Sequence, residues 1–268
     1  MWNDITVAPT ASLPLEDVKA DFLAPTSPLR VHTAEERPEL WESARPLFHG
    51  VWPEYNFHGE TSSRVFDALV PEYAHLQVLL YDQERERVVA RGKTIPFRWD
   101  GTLEDLPRGI DAAGLRALDD DRQPNTLSAL SAEVTAADQG RGLSRSVIEA
   151  MAACARGAKL AQFVAPVRPN WKDRYPTIPI GRYSQWKGMD GLPFDPWMRV
   201  HARLGAPILR PEPRSLRIEA SVADWQDWTA MEFPKDGEYV FPAGLAPLQV
   251  REGRGVYWEP NVWMQHRL

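Results

Sequence analysis

Short apolar segments recur along the first part of the chain and predict β-strands. One lies at 29–32, and two more lie at 76–81 and 87–95 with a charged turn between them. Two apolar runs joined by a short polar turn are typical of a β-hairpin. Apolar runs at 126–134 and 160–167 predict the next two strands. The pattern therefore predicts a sheet at the centre of the protein.

Mixed polar and apolar segments between these strands predict helices. Thr33 and Glu36 have the spacing of a capping box, so a helix is expected to follow through Trp41. A second, broken helix is predicted between residues 61 and 69. The alanine-rich stretch 146–155 predicts a long helix. Helices that alternate with strands indicate an α/β protein.

Two polar regions predict irregular structure. Residues 1–28 contain several prolines and little periodicity, so we expect an N-terminal strap with a short helix near 15–22. Residues 97–125 are polar and contain Gly109 and Gly114 among other turn formers. They are expected to form a long loop, and loops of this length in compact domains are usually functional or mobile.

The C-terminal part of the chain combines an aromatic segment with further regular elements. Residues 168–194 are dense in proline, glycine and aromatic residues and interrupt the pattern. A short helix is then expected, because Asp195 is a natural N-cap, Pro196 a natural first residue and Gly205 a natural stop. Strands are predicted near 215–222, 248–250 and 256–258.

Composition and charge narrow the classes of function. The 268 residues carry a formal net charge of −6 and no long basic run, so nucleic-acid binding is disfavoured. Cys154 is the one cysteine and the histidines lack metal-ligand spacing, so we expect neither an intramolecular disulfide nor a metal. No signal peptide or membrane-spanning run is visible, which predicts a cytoplasmic protein without a membrane partner. Tryptophans at the surface could form the face of a homodimer.

The segment Gln139-Gly140-Arg141-Gly142-Leu143-Ser144 stands between a predicted strand and the alanine-rich helix. Glycines let the backbone turn sharply and approach a ligand closely. The helix that follows directs free N–H groups and the positive end of its dipole at this turn. Such a junction binds anions, most often phosphate, although an ordinary strand-to-helix turn without a ligand is the alternative.

These six residues resemble the GNAT acetyltransferase superfamily, whose motif at this junction is Gln/Arg-x-x-Gly-x-Gly/Ala. Gln139 and Gly142 match the motif, and Ser144 stands where the family has Gly or Ala. Val134 matches the apolar residue that usually ends the preceding strand. The order of predicted elements also resembles that of the family over residues 29–268.

A second motif supports the resemblance near the predicted C-terminal helix. Leu204 and Gly205 match the family's Tyr-x-x-Leu-Gly-Phe, whereas His201 holds the tyrosine position and Ala206 the phenylalanine position. The resemblance implies a mixed, mostly antiparallel central sheet flanked by helices. It also implies a single acyltransferase domain over 29–268, with a Pro/Trp-rich insertion at 168–194 before the last helix.

The resemblance implies that acetyl-CoA or another acyl-CoA is the co-substrate. Its pyrophosphate would bind the backbone amides of the turn. The residues expected to contact the co-substrate are Val134, Gln139, Gly140, Arg141, Gly142, Leu143, Ser144 and Arg145. The two arginines would add positive charge for the phosphates, unless they are ordinary solvated side chains.

Three side chains are candidates for catalysis. The attacking amine must lose a proton, and Glu133 at the end of a predicted strand is the best-placed carboxylate for a base. The departing thiolate must gain one, and the resemblance places His201 where the family's protonating tyrosine stands. Tyr175 in the segment 168–194 is a substitute for the same task. The oxyanion donor would be a backbone N–H near Glu133 and Val134.

We therefore expect an acyltransferase that moves an acetyl or related acyl group from CoA to the amine of a small molecule. The segments 168–194 and 97–125 would shape the acceptor pocket. Two alternatives stay open at this point. One is a GNAT-fold enzyme with another acyl donor or thioester-cleaving chemistry, motivated by Ser144 and His201. The other is a non-catalytic CoA-binding protein.

Overall fold

The computed structural model describes residues 23–24 and 26–268. The predicted strap therefore lies almost entirely outside the described residues, and so does the predicted helix at 15–22. The described strands are β1 (Leu29–Thr33), β2 (Val78–Asp82), β3 (Arg87–Phe97), β4 (Thr126–Val134), β5 (Gln162–Val167), β6 (Ile208–Ser221), β7 (Gly237–Tyr239), β8 (Leu248–Arg251) and β9 (Arg254–His266). The described α-helices are α1 (Pro38–Ser43), α2 (Glu60–Tyr73), α3 (Ile110–Asp119), α4 (Leu143–Gly157), α5 (Ile180–Tyr183), α6 (Pro196–Arg203) and α7 (Val222–Thr229).

The strands form one mixed sheet in the order β1-β2-β3-β4-β5-β9-β8-β7, and β6 pairs with the long strand β9. All neighbours are antiparallel except β4 and β5, which run parallel. The predicted fold class, a mostly antiparallel sheet flanked by helices, is confirmed. The division into a strap and a single domain stays a prediction.

The two central strands β4 and β5 part along their length. They pair only over Thr126–Ser128 and Gln162–Val164, at the start of each strand. From Ala129 onwards the edge of β4 that faces β5 has no strand partner there. Because backbone N–H and C=O groups need partners, such a gap exposes polar backbone to whatever enters it. The parting therefore creates a wedge-shaped opening in the middle of the sheet.

Helices cover both faces of the β2–β3 hairpin, as the alternation of side chains requires. Val78 and Leu80 point to the face where Val147 and Met151 of α4 pack. Leu79 points to the other face and packs in the cluster that contains Trp41 of α1. This burial fixes α4 against the sheet and so sets the position of the turn that precedes it.

The prediction of a loop over 97–125 was wrong, because this region contains α3. Gly109 begins the helix with φ of 94°, a conformation that glycine adopts readily. Gly114 lies within the helix, and a Cβ there would stand 2.3 Å from Cγ2 of Val65 in α2. The two glycines thus serve a helix start and a close helix–helix contact, and not a loop.

The segment 168–194 is folded around a cluster of aromatic rings. Tyr175, Tyr183, Trp186 and Phe194 pack edge to face or tilted, with ring centroids 5.0–6.3 Å apart. Such pairs stabilise beyond the area they bury. The interpretation of this segment as an insertion stays a prediction.

Other elements follow the sequence closely, with shifted ends. Asp195 caps α6 by accepting hydrogen bonds from the backbone N–H groups of Trp197 and Met198, as predicted. Thr33 and Glu36 exchange the predicted hydrogen bonds, but the helix begins later, at Pro38. The predicted and observed lengths differ most for β6 and β9. Both strands extend beyond the short strands that their apolar segments predicted.

Candidate active site

A cavity of about 840 Å³ opens where β4 and β5 part. Its lining comes from both strands, from the turn before α4, and from α2, α6 and the segment before α2. The predicted residues that line it are Glu133, Val134, Gln139, Gly140, Gly142, Leu143, Ser144 and His201. The structure thus brings the turn and two of the three catalytic candidates together around one space.

The turn before the N-terminus of α4 has the geometry expected of a phosphate site. Gly140 and Gly142 have φ of 78° and 77°, and nothing lies within 4 Å of where a Cβ would stand on either. No side chain caps the 15-residue helix that begins at Leu143. Backbone N–H groups at a helix start attract anions. The residues present therefore fit the pyrophosphate of an acyl-CoA.

The two arginines of the predicted phosphate site do not line the cavity. The guanidinium of Arg141 donates to Asp138 Oδ1 at 2.6 Å and approaches Asp82 at 3.7 Å. Arg145 donates to Glu149 Oε1, one helical turn further along α4, at 3.0 Å. A guanidinium held by carboxylates is less available to a phosphate. Contact of Arg141 and Arg145 with CoA stays a prediction.

A β-bulge interrupts β4 in the wall of the cavity. Ser131 pairs with Lys93 and Ala129 with Thr94, so Leu130 has no partner in the ladder with β3. Bulges re-aim backbone groups and are common beside active sites. The bulge lies within the part of β4 that has parted from β5. It is therefore a second place, besides the predicted one at Glu133 and Val134, for a backbone donor to a developing oxyanion.

Glu133 is buried and fully engaged. Its carboxylate pairs with Arg91 Nε at 2.5 Å and Lys93 Nζ at 3.2 Å, and it accepts hydrogen bonds from Ser131 and Trp52. Burial alone would raise the pKa of Glu133, but the charges of Lys93 and Arg91 outweigh it and hold the pKa below its ordinary value. A carboxylate stabilised in this way accepts a proton weakly. The role of Glu133 as base stays a prediction that its surroundings oppose.

His201 stands in α6 with 2% of its surface exposed, and its ring lines the cavity. Its Nδ1 forms a 2.8 Å hydrogen bond with Nε2 of His266 on β9. Its Nε2 is buried and has no protein partner. Burial and then the neighbouring His266 lower the pKa of His201 well below its ordinary value, so the ring is neutral at pH 7.

Tyr175 does not line the cavity. Its ring belongs to the aromatic cluster of 168–194, with the Trp186 ring centroid 5.0 Å away. The sequence could not reveal this, because a tyrosine in an aromatic segment is equally compatible with packing and with a site. Its catalytic role stays a prediction.

Several charged residues of the cavity were not predicted as a group. Lys93 and Asp67 line it beside α2, and Arg168 and Glu259 line it beyond the end of β5. Arg168 donates to Glu259 Oε2 at 3.0 Å and to the backbone carbonyl of Ala243 at 2.8 Å. Lys93 and Glu259 each stand within an apolar run of the sequence. A charged residue at such a position was the signal that could have indicated a role in the cavity. Asp67 lies in a helix whose orientation depends on tertiary packing.

Two negative findings concern the described residues only. Within 23–24 and 26–268, no group of three or more His, Cys, Asp or Glu side chains is arranged to hold a metal ion. Among the helices the structure describes, none has the length and apolarity required to cross a membrane.

Comparison with known proteins connects this site to an activity. No family model matches the chain. The arginine N-acetyltransferase avaD of Aspergillus versicolor is 30% identical to this chain in an alignment of length 271 that covers 88% of this chain and 93% of that protein.

Solved structures agree on the fold. The loading GNATL domain of CurA from Lyngbya majuscula superposes with a TM-score of 0.57 at 16% identity, over 89% of this chain and 96% of that one. The GNAT-like decarboxylase GphF, in complex with isobutyryl-CoA, superposes with a TM-score of 0.54 at 16% identity. The match covers 89% of this chain and 98% of that one. At this identity the likeness establishes the fold alone.

A parted β4–β5 pair beside a glycine turn at a helix start suits a phosphate-bearing co-substrate such as an acyl-CoA. The extent and identity of the match to avaD narrow the class further. The chain belongs to the GNAT superfamily of N-acetyltransferases. It is an enzyme that transfers an acyl group from CoA to an amine.

Proposed function

We propose that this enzyme transfers the acetyl group of acetyl-CoA to the α-amine of arginine or of a closely similar cationic amino acid. The similarity to an arginine N-acetyltransferase supports the acceptor class. The observation that carries the proposal is the carboxylate of Asp67 in the cavity wall, which has no partner among the residues that the structure describes.

The charged groups of the cavity can be assigned by elimination. Glu133 pairs with Arg91 and Lys93, and Glu259 pairs with Arg168. Asp138 is held by Arg87 and Arg141. Asp67, exposed on α2, has no hydrogen bond or ion pair to any residue that the structure describes. It is therefore the carboxylate of the cavity lining that is free to bind a cation.

Aromatic rings in the same cavity favour the same kind of ligand. Phe57, Phe66 and Trp52 line the cavity together with Asp67. Planar guanidinium groups stack on aromatic faces and bind carboxylates through paired hydrogen bonds. A cavity that combines a free carboxylate with aromatic rings suits a guanidinium.

The α-amine is the nitrogen that can react. A guanidinium has a pKa above about 12 and stays protonated, so it has no free lone pair for attack. An α-amine has a pKa near 8 and is partly neutral at physiological pH. Binding of the guanidinium by Asp67 would leave the α-amine as the nucleophile.

The acyl-donor side of the proposal uses the turn, the bulge and His201. The amides around Gly140 and Gly142 hold the phosphates, and the backbone of the parted β4 stabilises the oxyanion. His201 lines the cavity, and its buried Nε2 has no partner among the residues that the structure describes. In this proposal Nε2 of His201 gives a proton to the departing sulfur. His201→Phe is expected to slow turnover and to retain CoA binding; unchanged turnover would remove His201 from the mechanism.

The acceptor is tested by incubating the enzyme with acetyl-CoA and a panel of amines, with products identified by mass spectrometry. Arginine should be acetylated on the α-nitrogen faster than citrulline, whose side chain has a similar shape but no charge. Fragmentation locates the acetyl group. Absence of any acetylated amino acid at millimolar concentration would overturn the proposed acceptor class.

The Asp67 subsite is tested by substitution. Asp67→Asn should raise KM for arginine about tenfold or more, because one charge-assisted interaction contributes about 1.5–3 kcal/mol. KM for citrulline and for acetyl-CoA should change little. Asp227→Asn, at an exposed position on α7, is the matched control. An equal rise in KM for arginine and for citrulline would show that Asp67 does not recognise the charge of the side chain.

Three further expectations stay with this proposal. We expect a cytoplasmic enzyme that acts on a small molecule and functions without a metal. Cell fractionation tests the cytoplasmic location. Activity measured after dialysis against a chelator tests whether the enzyme functions without a metal. The tryptophans that the structure describes are buried or half-buried, and not exposed as the sequence suggested. The expected homodimer stays a prediction, which light scattering coupled to size-exclusion chromatography tests.

A further inference from the structure

A buried pair of histidines stands at the inner wall of the cavity. His201 on α6 and His266 on β9 share a 2.8 Å hydrogen bond between Nδ1 and Nε2. They are 2% and 6% exposed. The remaining ring nitrogen of His201, Nε2, is buried, lacks a protein partner and belongs to a residue that lines the cavity. The pair therefore connects the cavity with a second proton-carrying group behind it.

Apolar rings surround the pair. Trp197 packs edge-on against His201 with centroids 4.5 Å apart, and Phe163 of β5 stacks on His266 at 5.0 Å. In the part of the chain that the structure describes, no ion pair or hydrogen bond joins either ring to a charged side chain. Burial lowers the pKa of His266 to about 4 and that of His201 well below its ordinary value. Both rings are neutral at pH 7.

Neutrality couples the protons of the two rings. A neutral imidazole has one N–H, and which nitrogen carries it depends on the hydrogen bond that the other nitrogen makes. In the His201–His266 contact one nitrogen donates and the other accepts. If His266 donates through Nε2, Nδ1 of His201 accepts. The proton of His201 then stands on Nε2, the nitrogen that has no partner among the described residues.

We propose that His266 is a positioning residue that holds His201 in the tautomer with Nε2–H facing the cavity and replaces the proton that His201 gives up. This inference rests on the proposed function, because it needs an anionic sulfur as the proton acceptor. It adds a role for His266, which lies 65 residues along the chain from His201.

The proton transfers balance. The Nε2–H bond of His201 breaks and an S–H bond forms on the departing thiolate. Nδ1 of His201 takes the Nε2 proton of His266, and His266 takes a proton at Nδ1 from solvent water. The attacking amine releases one proton to solvent in the same turnover, so no net proton is consumed. Solvent exchange after product release restores both tautomers. Without His266, proton donation would leave an imidazolate at His201, which is far too basic to form.

The tautomer is measured directly and without substrate. Nitrogen-15 NMR of histidine-labelled protein distinguishes protonated from bare ring nitrogens, and spectra of His201→Phe and His266→Phe assign the signals. We expect His201 to carry its proton on Nε2 in the free protein. A proton on Nδ1 of His201 would overturn the proposal.

Kinetics test the relay. His266→Phe keeps the ring that stacks on Phe163 and should lower kcat about 100-fold, the scale of general acid catalysis, with KM for acetyl-CoA little changed. His75→Gln, at an exposed histidine, is the matched control. A folded His266→Phe variant with kcat within about threefold of the unmodified enzyme would overturn the proposal.

His266→Gln separates orientation from proton transfer. Its amide N–H can donate to Nδ1 of His201 and hold the tautomer, but it cannot pass on a proton. We expect the Nε2–H signal of His201 to be retained while kcat stays low. Full recovery of kcat would overturn the relay. If the unmodified enzyme acetylates no amine, the proposed function fails, and the tautomer measurement still decides the role of His266.

Discussion

Asp111, in the first turn of α3, is a carboxylate that its surroundings satisfy only in part. Its Oδ2 accepts a 2.8 Å hydrogen bond from the backbone N–H of Arg217, and its Oδ1 is buried without a partner. Burial raises the pKa of Asp111 to about 6, above its ordinary value of 3.8. The folded state therefore binds a proton more tightly than the unfolded state.

The sign of the resulting pH dependence follows from this difference. Between pH 4 and 6 the folded state holds more protons, so this group's contribution to stability is lost as the pH rises through about 6. Asp111→Asn removes the ionisation. The free energy of unfolding of the variant, relative to the unmodified protein, should rise by up to about 3 kcal/mol from pH 4 to pH 7.

Urea denaturation at several pH values measures the Asp111 effect. The unpaired amide of asparagine adds an offset that does not depend on pH, so the slope is the informative quantity. Asp121→Asn, at an exposed position, is the control. A difference that stays constant across this pH range would contradict the assignment.

Lys172 illustrates a buried charge with a structural role. Its ammonium group is 1% exposed and donates to the backbone carbonyls of Tyr175 at 2.7 Å, Leu245 at 2.6 Å and Pro176 at 3.3 Å. It joins the start of the aromatic segment to the loop before β8. Lys172→Met should lower the free energy of unfolding by about 3 kcal/mol, because buried carbonyls lose their donor.

Thermal and urea denaturation check the Lys172 prediction. Lys187→Met is the matched control, since Lys187 lies in the same segment with an exposed side chain. Similar stability of the two variants would show that water or other donors replace the ammonium group.

At the residue scale, a local motif or a resemblance carried the site residues that the sequence predicted. The turn from Gln139 to Ser144 and the histidine at position 201 were predicted in this way. His201 and all residues of the turn except Arg141 line the cavity, and their roles stay predictions. Asp67 and His266 were not assigned a role. Each depends on contacts made across the fold, and neither belongs to a local pattern.

At the element scale, α3 shows how a glycine can mislead. Gly114 was interpreted as a loop former, but in the structure it allows α3 to lie against Val65 of α2. Gly114→Ala should destabilise the protein by about 1–3 kcal/mol, because the added Cβ overlaps a packed side chain. Gly157→Ala, at the end of α4 with nothing within 4 Å of the new atom, should be nearly neutral.

Chemical denaturation distinguishes the two glycine variants. A Gly114→Ala variant as stable as Gly157→Ala would mean that α2 and α3 separate at little cost. The sequence predicted the strands more accurately than it predicted α3. Their apolar runs are short and strongly β-forming, so hydrophobicity alone identifies them.

At the scale of the whole molecule, strands β1 to β4 form one part of the sheet and β5 to β9 the other. Among the described strands, the two parts pair through the first residues of β4 and β5 alone. A ligand in the wedge would bridge strands that otherwise lack a partner. We expect acetyl-CoA to slow amide hydrogen exchange in both Ala129–Val134 and Ala165–Val167, and around Gly142. These segments line the cavity.

Hydrogen exchange followed by mass spectrometry tests this expectation. Gly142→Val disfavours the positive φ of the turn and adds a side chain where phosphate is expected, so ligand protection should disappear. β7 and β8, which lie at the far edge of the sheet, serve as internal controls. Protection confined to α4 would contradict binding in the wedge.

The sequence by itself determined the strands β1 to β5, the capped helix at Asp195 and the glycine turn, because each depends on neighbours along the chain. Its motifs also indicated the superfamily and the acyl-CoA co-substrate. Only the tertiary structure decided what surrounds the cavity. It placed His266 in hydrogen-bond contact with His201 and paired Glu133 with Arg91 and Lys93. It gave Asp67 no partner among the described residues. These relations join residues far apart in the chain, and packing and desolvation set their strengths only after the sheet and helices are assembled.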